Sequence, residues 1–513
     1  MTQLKKWFTS TYAPLQQLLI LGFLLRLVSV IFSKGFGWHD DHFLIIESSQ
    51  SWADGFFNYW LPTEAEPNRE PQGHALFYIG IHYYIFKFFN WVGILDPQVK
   101  MFFIRLLHAL WSLLIIKYGY KIAEQYGSKK TAWYTGLFLT FYWFMPFMSV
   151  RNLVEFVCVP PVLIAIYLLG KKELKTSDFL AAGLWLGLAF SIRFQTIFVS
   201  TGIGLALLLR RESFKHLTAL VLSFLVLVFL TQGVVDLIIW KKPFTEFMAY
   251  VEYNLNNATA YGTDNWHMYF DLVFGLLIPP LSLVIVAGYF YNWKKTALLF
   301  WPVLLYFAFH TYFPNKQERF IMTILPLIMI AGTIGMFDLY ARYHDKFSPR
   351  LVRFSKYFVL ILNLLLLPIL STSYSKRHRV EAMYYLYKQP DANDFIVEDS
   401  NKESDFLLPP LFYFGKWQST CGINKTYTAD SALVYYNSLS YKDKPRYMVF
   451  WQAENIEARV DSVKKRFPGL HYQATIEPSL IDKTLFILNP LNDNQTAFIY
   501  KIVPPADSSS LYP

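Results

Sequence analysis

Apolar residues in this chain do not recur with the period of a surface helix. They are gathered into blocks near 14–33, 101–118, 131–150, 153–170, 178–191, 194–209, 217–239, 270–290, 296–313, 320–340 and 357–371. About 20 apolar residues span a hydrocarbon core of roughly 30 Å. The pattern therefore predicts an all-α polytopic membrane protein with about eleven transmembrane helices. The runs 178–191 and 194–209 are short, so a single long kinked span is the alternative there. The segment 75–92 carries His82 and Lys87 among aromatics, which suits a helix lying in the interface better than one crossing it. After residue 371 the pattern changes. The tail is polar, with strand-like runs at "DFIVED", "RYMVFWQ", "TLFILNP" and "TAFIYKI" and a helix-like "EARVDSVKKRF". These predict a small extracytoplasmic α/β domain over 372–513, following a membrane domain over 1–371.

Charge gives this drawing a direction. With the N-terminus inside and 75–92 not crossing, Lys and Arg accumulate in the inner loops, as the positive-inside rule requires. The tail then lies outside. Lys5 and Lys6 precede an apolar run with no small-residue cleavage site, so an uncleaved first span is expected. Of 513 residues, 54% are hydrophobic and only 16% charged. The net charge of +10 is met by anionic lipid head groups, and no nucleic acid partner is implied. Cys158 and Cys421 are the only cysteines, too few for a disulfide framework or a thiolate metal site. No metal motif with sound ligand spacing occurs, and no cofactor is expected. Short loops and the lack of an ER retrieval signal favour a bacterial plasma membrane, with an ER membrane as the alternative.

The chemistry must come from the outer loops. In "GWHDDHFLIIE", Asp40 and Asp41 are crowded beside a low-dielectric slab, with His42 next to them and Glu47 further on. Crowding and desolvation both penalise a charged carboxylate, which moves it towards general-base work. An N-cap aspartate opening a helix near Phe43 is the plainer reading. In "SVRNLVEF", Arg151 and Glu155 stand four apart, so a helix would place them on one face as a substrate-facing or merely local ion pair. Arg193 interrupts two apolar runs. It marks either a functional charge or a tight turn. "YVEYNLNNATAYGTDNWHMYF" mixes Tyr253, Asn254, Tyr261, Trp266 and His267, combining flat apolar faces with hydroxyl-binding groups, as a sugar requires. An interfacial aromatic belt would use the same rings. In "FPNKQERFIMTILP", Lys316 and Arg319 could clamp a lipid-linked phosphate, with Glu318 orienting them.

Together these stretches resemble the GT-C glycosyltransferases, specifically glycosyltransferase family 22, the dolichyl- or polyprenyl-phosphate-mannose-dependent mannosyltransferases of N-glycan and GPI-anchor assembly. "HDDHFLIIE" is similar to the family's His-Pro-Asp-Glu-x-Phe stretch with a glutamate four residues beyond, matching Asp40, Phe43 and Glu47. "VRNLVEF" resembles Arg-Thr-Leu-x-Asn, matching Arg151. "YNLNNATAYGTDNWHMYF" resembles Tyr-Asn-…-Tyr-Gly-Thr-His-Pro-Trp-His-x-Tyr-Phe. "NKQERFIMTILPL" resembles His-Lys-Glu-Glu-Arg-Phe. The resemblance runs from about residue 14 to 340. Asp41 replaces a Glu, Glu155 an Asn, Asp264–Asn265 a His-Pro, Asn315 a His and Gln317 a Glu.

The resemblance implies a GT-C fold and inverting transfer of a sugar, mannose in the family, from a polyprenyl-phosphate donor to a glycan or lipid-linked acceptor. Asp40 would be the base, since it aligns with the family aspartate, with Asp41 and Glu47 beside it. Lys316 and Arg319, then Arg151 and Arg193, would hold the donor phosphate. His42, Glu155, Tyr253, Asn254, Tyr261, Trp266, His267 and Glu318 would line the substrate site. A polysaccharide polymerase or flippase would also use external loops. A transporter would instead bury its charges in mid-membrane.

Overall fold

The computed structural model describes residues 14–57, 60–63, 66, 68–260, 262–417, 421–489 and 495–503. The chain divides into two compact units. One comprises Met1–Ile31, Trp60–Ile81 and Phe103–Thr372, and the other Phe32–Tyr59, His82–Phe102 and Ser373–Pro513.

The first unit is helical. Among the described residues, five helices are long and apolar enough to cross a membrane: Pro14–Phe32, Pro97–Tyr126, Phe214–Trp240, Leu325–Lys346 and Pro349–Ser371. The run expected as one span over 270–290 is instead two helices, Met268–Leu276 and Leu281–Tyr291, bent by 114°. Pro279 and Pro280 fall at the break, where neither nitrogen can donate a helical hydrogen bond. Runs 178–191 and 194–209 become separate helices, Thr176–Ile192 and Thr196–Leu209, parted at Arg193. The run at 131–150 is Lys129–Phe141 followed by the single turn Met145–Met148.

Three pairings order this unit: Thr176–Ile192 on Phe214–Val228, Leu281–Tyr291 on Leu325–Tyr343, and Thr196–Leu209 on Ala297–Tyr312. Small residues allow the close ones. A Cβ on Gly335 would stand 1.9 Å from the Gly288 carbonyl oxygen. Without a strong hydrophobic drive between helices in lipid, such backbone approach supplies the packing. Arg26, a cation inside the first apolar helix, is fully buried. It donates to Ser112 Oγ at 2.8 Å and to the carbonyls of Gly22 and Leu139, both at 3.2 Å. A buried charge left without such partners would be costly.

The second unit contains one five-stranded sheet: β1 (Phe395–Glu398), β2 (Cys421–Ile423), β3 (Tyr447–Trp451), β4 (Leu470–Ile476) and β5 (Ala497–Ile502). The order is β2-β1-β3-β5-β4, parallel across β2, β1 and β3 and antiparallel beyond. β3 is central, and all five of its residues are buried, as a strand covered on both faces must be. Ile396, Met448 and Phe450 pack with Val460, Val463 and Phe467 from the region of helix Ile456–Lys464, the expected "EARVDSVKKRF" helix. The run "TLFILNP" is not a strand: helix Leu480–Leu488 occupies it. Its Ser479 and Asp482 form a reciprocal cap, Asp482 N–H donating to Ser479 Oγ at 3.2 Å, which commits the segment to a helix.

Segments 32–59 and 82–102 belong to this unit, and the former joins the tail through backbone. Gly35 has φ +77°, and a Cβ there would lie 1.9 Å from the Ser375 carbonyl oxygen. Only glycine satisfies both demands.

Candidate functional site

The acidic stretch forms a π-helix, Asp41–Glu47, continued by the α-helix Ser48–Ala53. Such π-turns are frequent at functional sites. The N-cap reading fails, because Asp40 has helical φ and ψ and its side chain caps nothing. Asp40 is half-buried, whereas Asp41 is only 4% exposed. Glu47 is fully buried, meets His42 Nε2 at 3.3 Å, and accepts the Phe412 N–H at 3.2 Å.

His42 is stacked between Phe36, with centroids 4.3 Å apart, and Tyr413, at 5.5 Å. Burial, and then Arg379 and Lys376, push its imidazole well below the usual histidine range. It is therefore held neutral within this aromatic stack. His39 stacks on Phe43 at 4.3 Å and is pushed down to about 4 by burial, against the opposing pull of Asp40. Arg379 covers Phe36 and Phe43, its Cζ 5.2 and 5.5 Å from their centroids. Sequence reasoning missed Phe36, which lies just before the stretch, and Arg379, Phe412 and Tyr413, which nothing local marks as its neighbours because they are so distant in the chain.

In the first unit the cations gather around one carboxylate. Glu155 lies in the single turn Val154–Val157, which packs on the 3-10 segment Glu318–Thr323. Its Oε1 is 2.7 Å from Arg193 Nη1 and 3.6 Å from Arg319 Nε. The expected Arg151–Glu155 pair on one helix face is not formed, because Arg151 precedes the turn and places its guanidinium over Phe147 at 4.5 Å. Both Arg193 and Arg319 also lie over the Phe320 ring, at 5.4 and 5.6 Å. Nε and Nη2 of Arg193 are buried without a hydrogen-bond partner among the described residues.

Lys316 is buried and donates from Nζ to the carbonyls of Thr311 at 3.0 Å and Phe313 at 2.7 Å. Burial holds its ammonium below the usual lysine range, opposed by Asp264. Glu318 does not orient Lys316 and Arg319, because its side chain is exposed. Gln317 takes that place, accepting from Arg319 Nε at 2.8 Å.

The aromatic stretch 250–270 begins on helix Thr245–Asn256 and ends where helix Met268–Leu276 starts. Tyr253 is 48% exposed and Trp266 67%. His267, also exposed, has Nδ1 2.6 Å from Asp271 Oδ2, and Asn254 Nδ2 donates to the Tyr250 carbonyl at 2.8 Å. Tyr261 lies outside the described residues. This stretch is joined to the cationic one: Thr263 bridges Asn315, and the Lys316 N–H donates to the Gly262 carbonyl at 3.2 Å. An open aromatic surface therefore adjoins buried cations.

A second buried acidic pair went unnoticed in the sequence. Glu246 Oε2 accepts from the N–H groups of Gly73 and His74 at 2.7 and 3.1 Å, and Asp236 Oδ2 accepts from the Glu246 N–H at 2.9 Å. Burial raises the Glu246 carboxyl to about 7, opposed by those two N–H groups.

In fold, the chain is similar to ArnT from Cupriavidus metallidurans, solved bound to undecaprenyl phosphate, with a TM-score of 0.61 at 13% identity over 95% of this chain and 98% of that one. The same protein in its apo state gives 0.57 at 12% identity over 95% and 97%. The architecture is thus that of a membrane-embedded, mostly helical GT-C protein. Residues 74–402 match the Alg9-like mannosyltransferase family, and the chain belongs to that family. It is 24% identical to the alpha-1,2-mannosyltransferase ALG9 of Mus musculus over 340 residues, 59% of this chain and 53% of that protein. It is 23% identical to GPI mannosyltransferase 3 of Saccharomyces cerevisiae over 281 residues, 49% and 44% of the two chains. It thus spans about half the length of the curated relatives it matches.

Proposed function

We propose that this protein transfers mannose from a polyprenyl-phosphate donor to a glycan or lipid-linked acceptor at the extracytoplasmic face of a bacterial inner membrane. The chain would cross about eleven times, with its N-terminus in the cytoplasm. The observation that carries the reading is the cation excess around Glu155: two buried guanidiniums share one carboxylate, one of them with unspent donors. Such a cluster suits a phosphate, and guanidinium forks match its geometry. The likeness to a protein solved with undecaprenyl phosphate supports a lipid carrier.

In the proposed step the acceptor oxygen attacks the anomeric carbon and inverts it. The bond from that carbon to the phosphate oxygen breaks, and polyprenyl phosphate leaves with the electron pair. Asp40 takes the hydroxyl proton. Its partial exposure supports that choice over Asp41, which is buried. Lys316, Arg319, Arg193 and Arg151 would meet the negative charge that grows on the departing phosphate. With one phosphate and a cationic clamp, the reading requires no metal and no cofactor. Tyr253 and Trp266 would offer faces to a sugar ring.

The test is transfer from radiolabelled polyprenyl-phosphate mannose by the purified protein, beside Asp40→Asn. A positioned base is worth roughly 10²–10⁴-fold, so the variant should lose about that factor in kcat while folding normally. A variant as fast as the wild type would remove Asp40 from the chemistry. A wild type inert with this donor but active with another polyprenyl-phosphate sugar would correct the sugar.

A further inference from the structure

Helix Leu480–Leu488 is turned inside out. In a soluble domain a helix directs its apolar stripe inward and its charges to water. Here Asp482 is 1% exposed, while Leu480, Ile487 and Leu488 are 78%, 78% and 77% exposed. Leu480, Thr484, Ile487 and Leu488 fall at i, i+4, i+7 and i+8, so they share one outward face. Leu485, 41% exposed, flanks it. A contiguous outward apolar patch on an otherwise polar domain marks an interaction surface.

The buried aspartate tells where this surface lies along the chain. Asp482 Oδ1 accepts from the Lys376 N–H at 3.0 Å, and Oδ2 from the Arg377 N–H at 3.1 Å. Lys376 follows closely on Ser371, the last residue of helix Pro349–Ser371, which is long and apolar enough to cross a membrane and almost uncovered by protein. Even fully extended, at roughly 3.5 Å per residue, the intervening chain reaches less than about 20 Å. The start of the inverted helix is therefore tethered close to the end of a span. Lys376, Arg377 and Lys483 bring positive charge to the same place, and anionic head groups attract such residues.

We infer that Leu480–Leu488 is an interfacial helix of the tail that lays Leu480, Ile487 and Leu488 into the outer leaflet. Its partner is the lipid surface. The inference rests on the reading of Pro349–Ser371 as a membrane span, and the experiment separates the two.

The full chain, with Cys421→Ala and buried Cys158 retained, is placed in nanodiscs of phosphatidylcholine and phosphatidylglycerol. Nitroxide labels are attached singly through Ile487→Cys, Leu364→Cys and Val434→Cys. Leu364 is 59% exposed on the apolar helix, and Val434 is 71% exposed on the tail helix Ala429–Ser438. Collision with oxygen, which concentrates in lipid, is compared with collision with a water-soluble nickel chelate. The expected result is an oxygen-dominated signal at 487, like that at 364, and a nickel-dominated one at 434. A nickel-dominated label at 487 overturns the inference. So does exclusion of both quenchers, which would mean that protein covers the face, or spin–spin broadening, which would mean a second copy. A nickel-dominated label at 364 overturns the span reading itself, and the inference with it.

Discussion

Glu155→Gln is the sharpest perturbation of the cation cluster. The substitution keeps shape and volume and removes one negative charge from a fully buried position 2.7 Å from Arg193 and 3.6 Å from Arg319. Breaking a buried ion pair from one side costs about 3–5 kcal/mol, because the surviving charge stays desolvated. The amide keeps an oxygen dipole beside Arg193, which returns about 1 kcal/mol and leaves a net loss of about 2–4 kcal/mol. Equilibrium unfolding in mixed micelles reads this loss directly. The cycle is completed by Arg193→Gln and the double variant. In the double variant the pair is gone from both sides, so its loss should fall short of the sum by about 0.5–3 kcal/mol, the range found for contacting residues. Glu155→Gln also leaves a larger positive excess, so added inorganic phosphate should stabilise it more than the wild type. Strict additivity in the cycle, or a Glu155→Gln protein as stable as the wild type, would refute the claim that this carboxylate holds the arginines together.

Other expectations are as direct. Glu246 binds its proton near pH 7 in the folded chain, against an ordinary value of 4.5, so the folded state holds more protons between those values. Stability should therefore fall as pH rises from about 4.5 to about 7, and Glu246→Gln should flatten that slope in thermal unfolding profiles. Gly335→Ala would push a methyl against the Gly288 carbonyl; overpacking of this kind costs about 1–3 kcal/mol, visible as a lowered Tm. Gln317→Ala removes the acceptor of Arg319 Nε and should raise KM for the lipid donor more than it lowers kcat, whereas Gln317→Glu should retain function.

Much of this was legible because lipid and water impose strong patterns. The apolar runs marked the long helices, and short strand-like runs in a polar tail marked β1, β3 and β5. Errors arose where composition and local geometry diverge. "TLFILNP" has the content of a strand, yet the Ser479 and Asp482 cap makes it a helix whose leucines face outward. The bend after Leu276 was signalled by Pro279 and Pro280 but hidden by the apolar residues around them. Four-residue spacing suggested that Glu155 pairs with Arg151. The true partners, Arg193 and Arg319, are distant in the chain, and only tertiary packing selects them. Glu246 escaped notice because one acidic residue at the start of a helix looks like a cap, and its partners are bare backbone N–H groups at Gly73 and His74.

The seam between the acidic π-helix and the tail bears on how such a protein can be cut or grafted. Glu47 is anchored by the Phe412 N–H, His42 is sandwiched against Tyr413, and Arg379 roofs Phe36 and Phe43. A chain shortened after residue 372 would lose all three supports at once, exposing two phenylalanines and stranding a carboxylate. The tail is consequently no detachable appendage. A working chimera would have to carry residues 32–59 and 82–102 across together with it, as one inherited block.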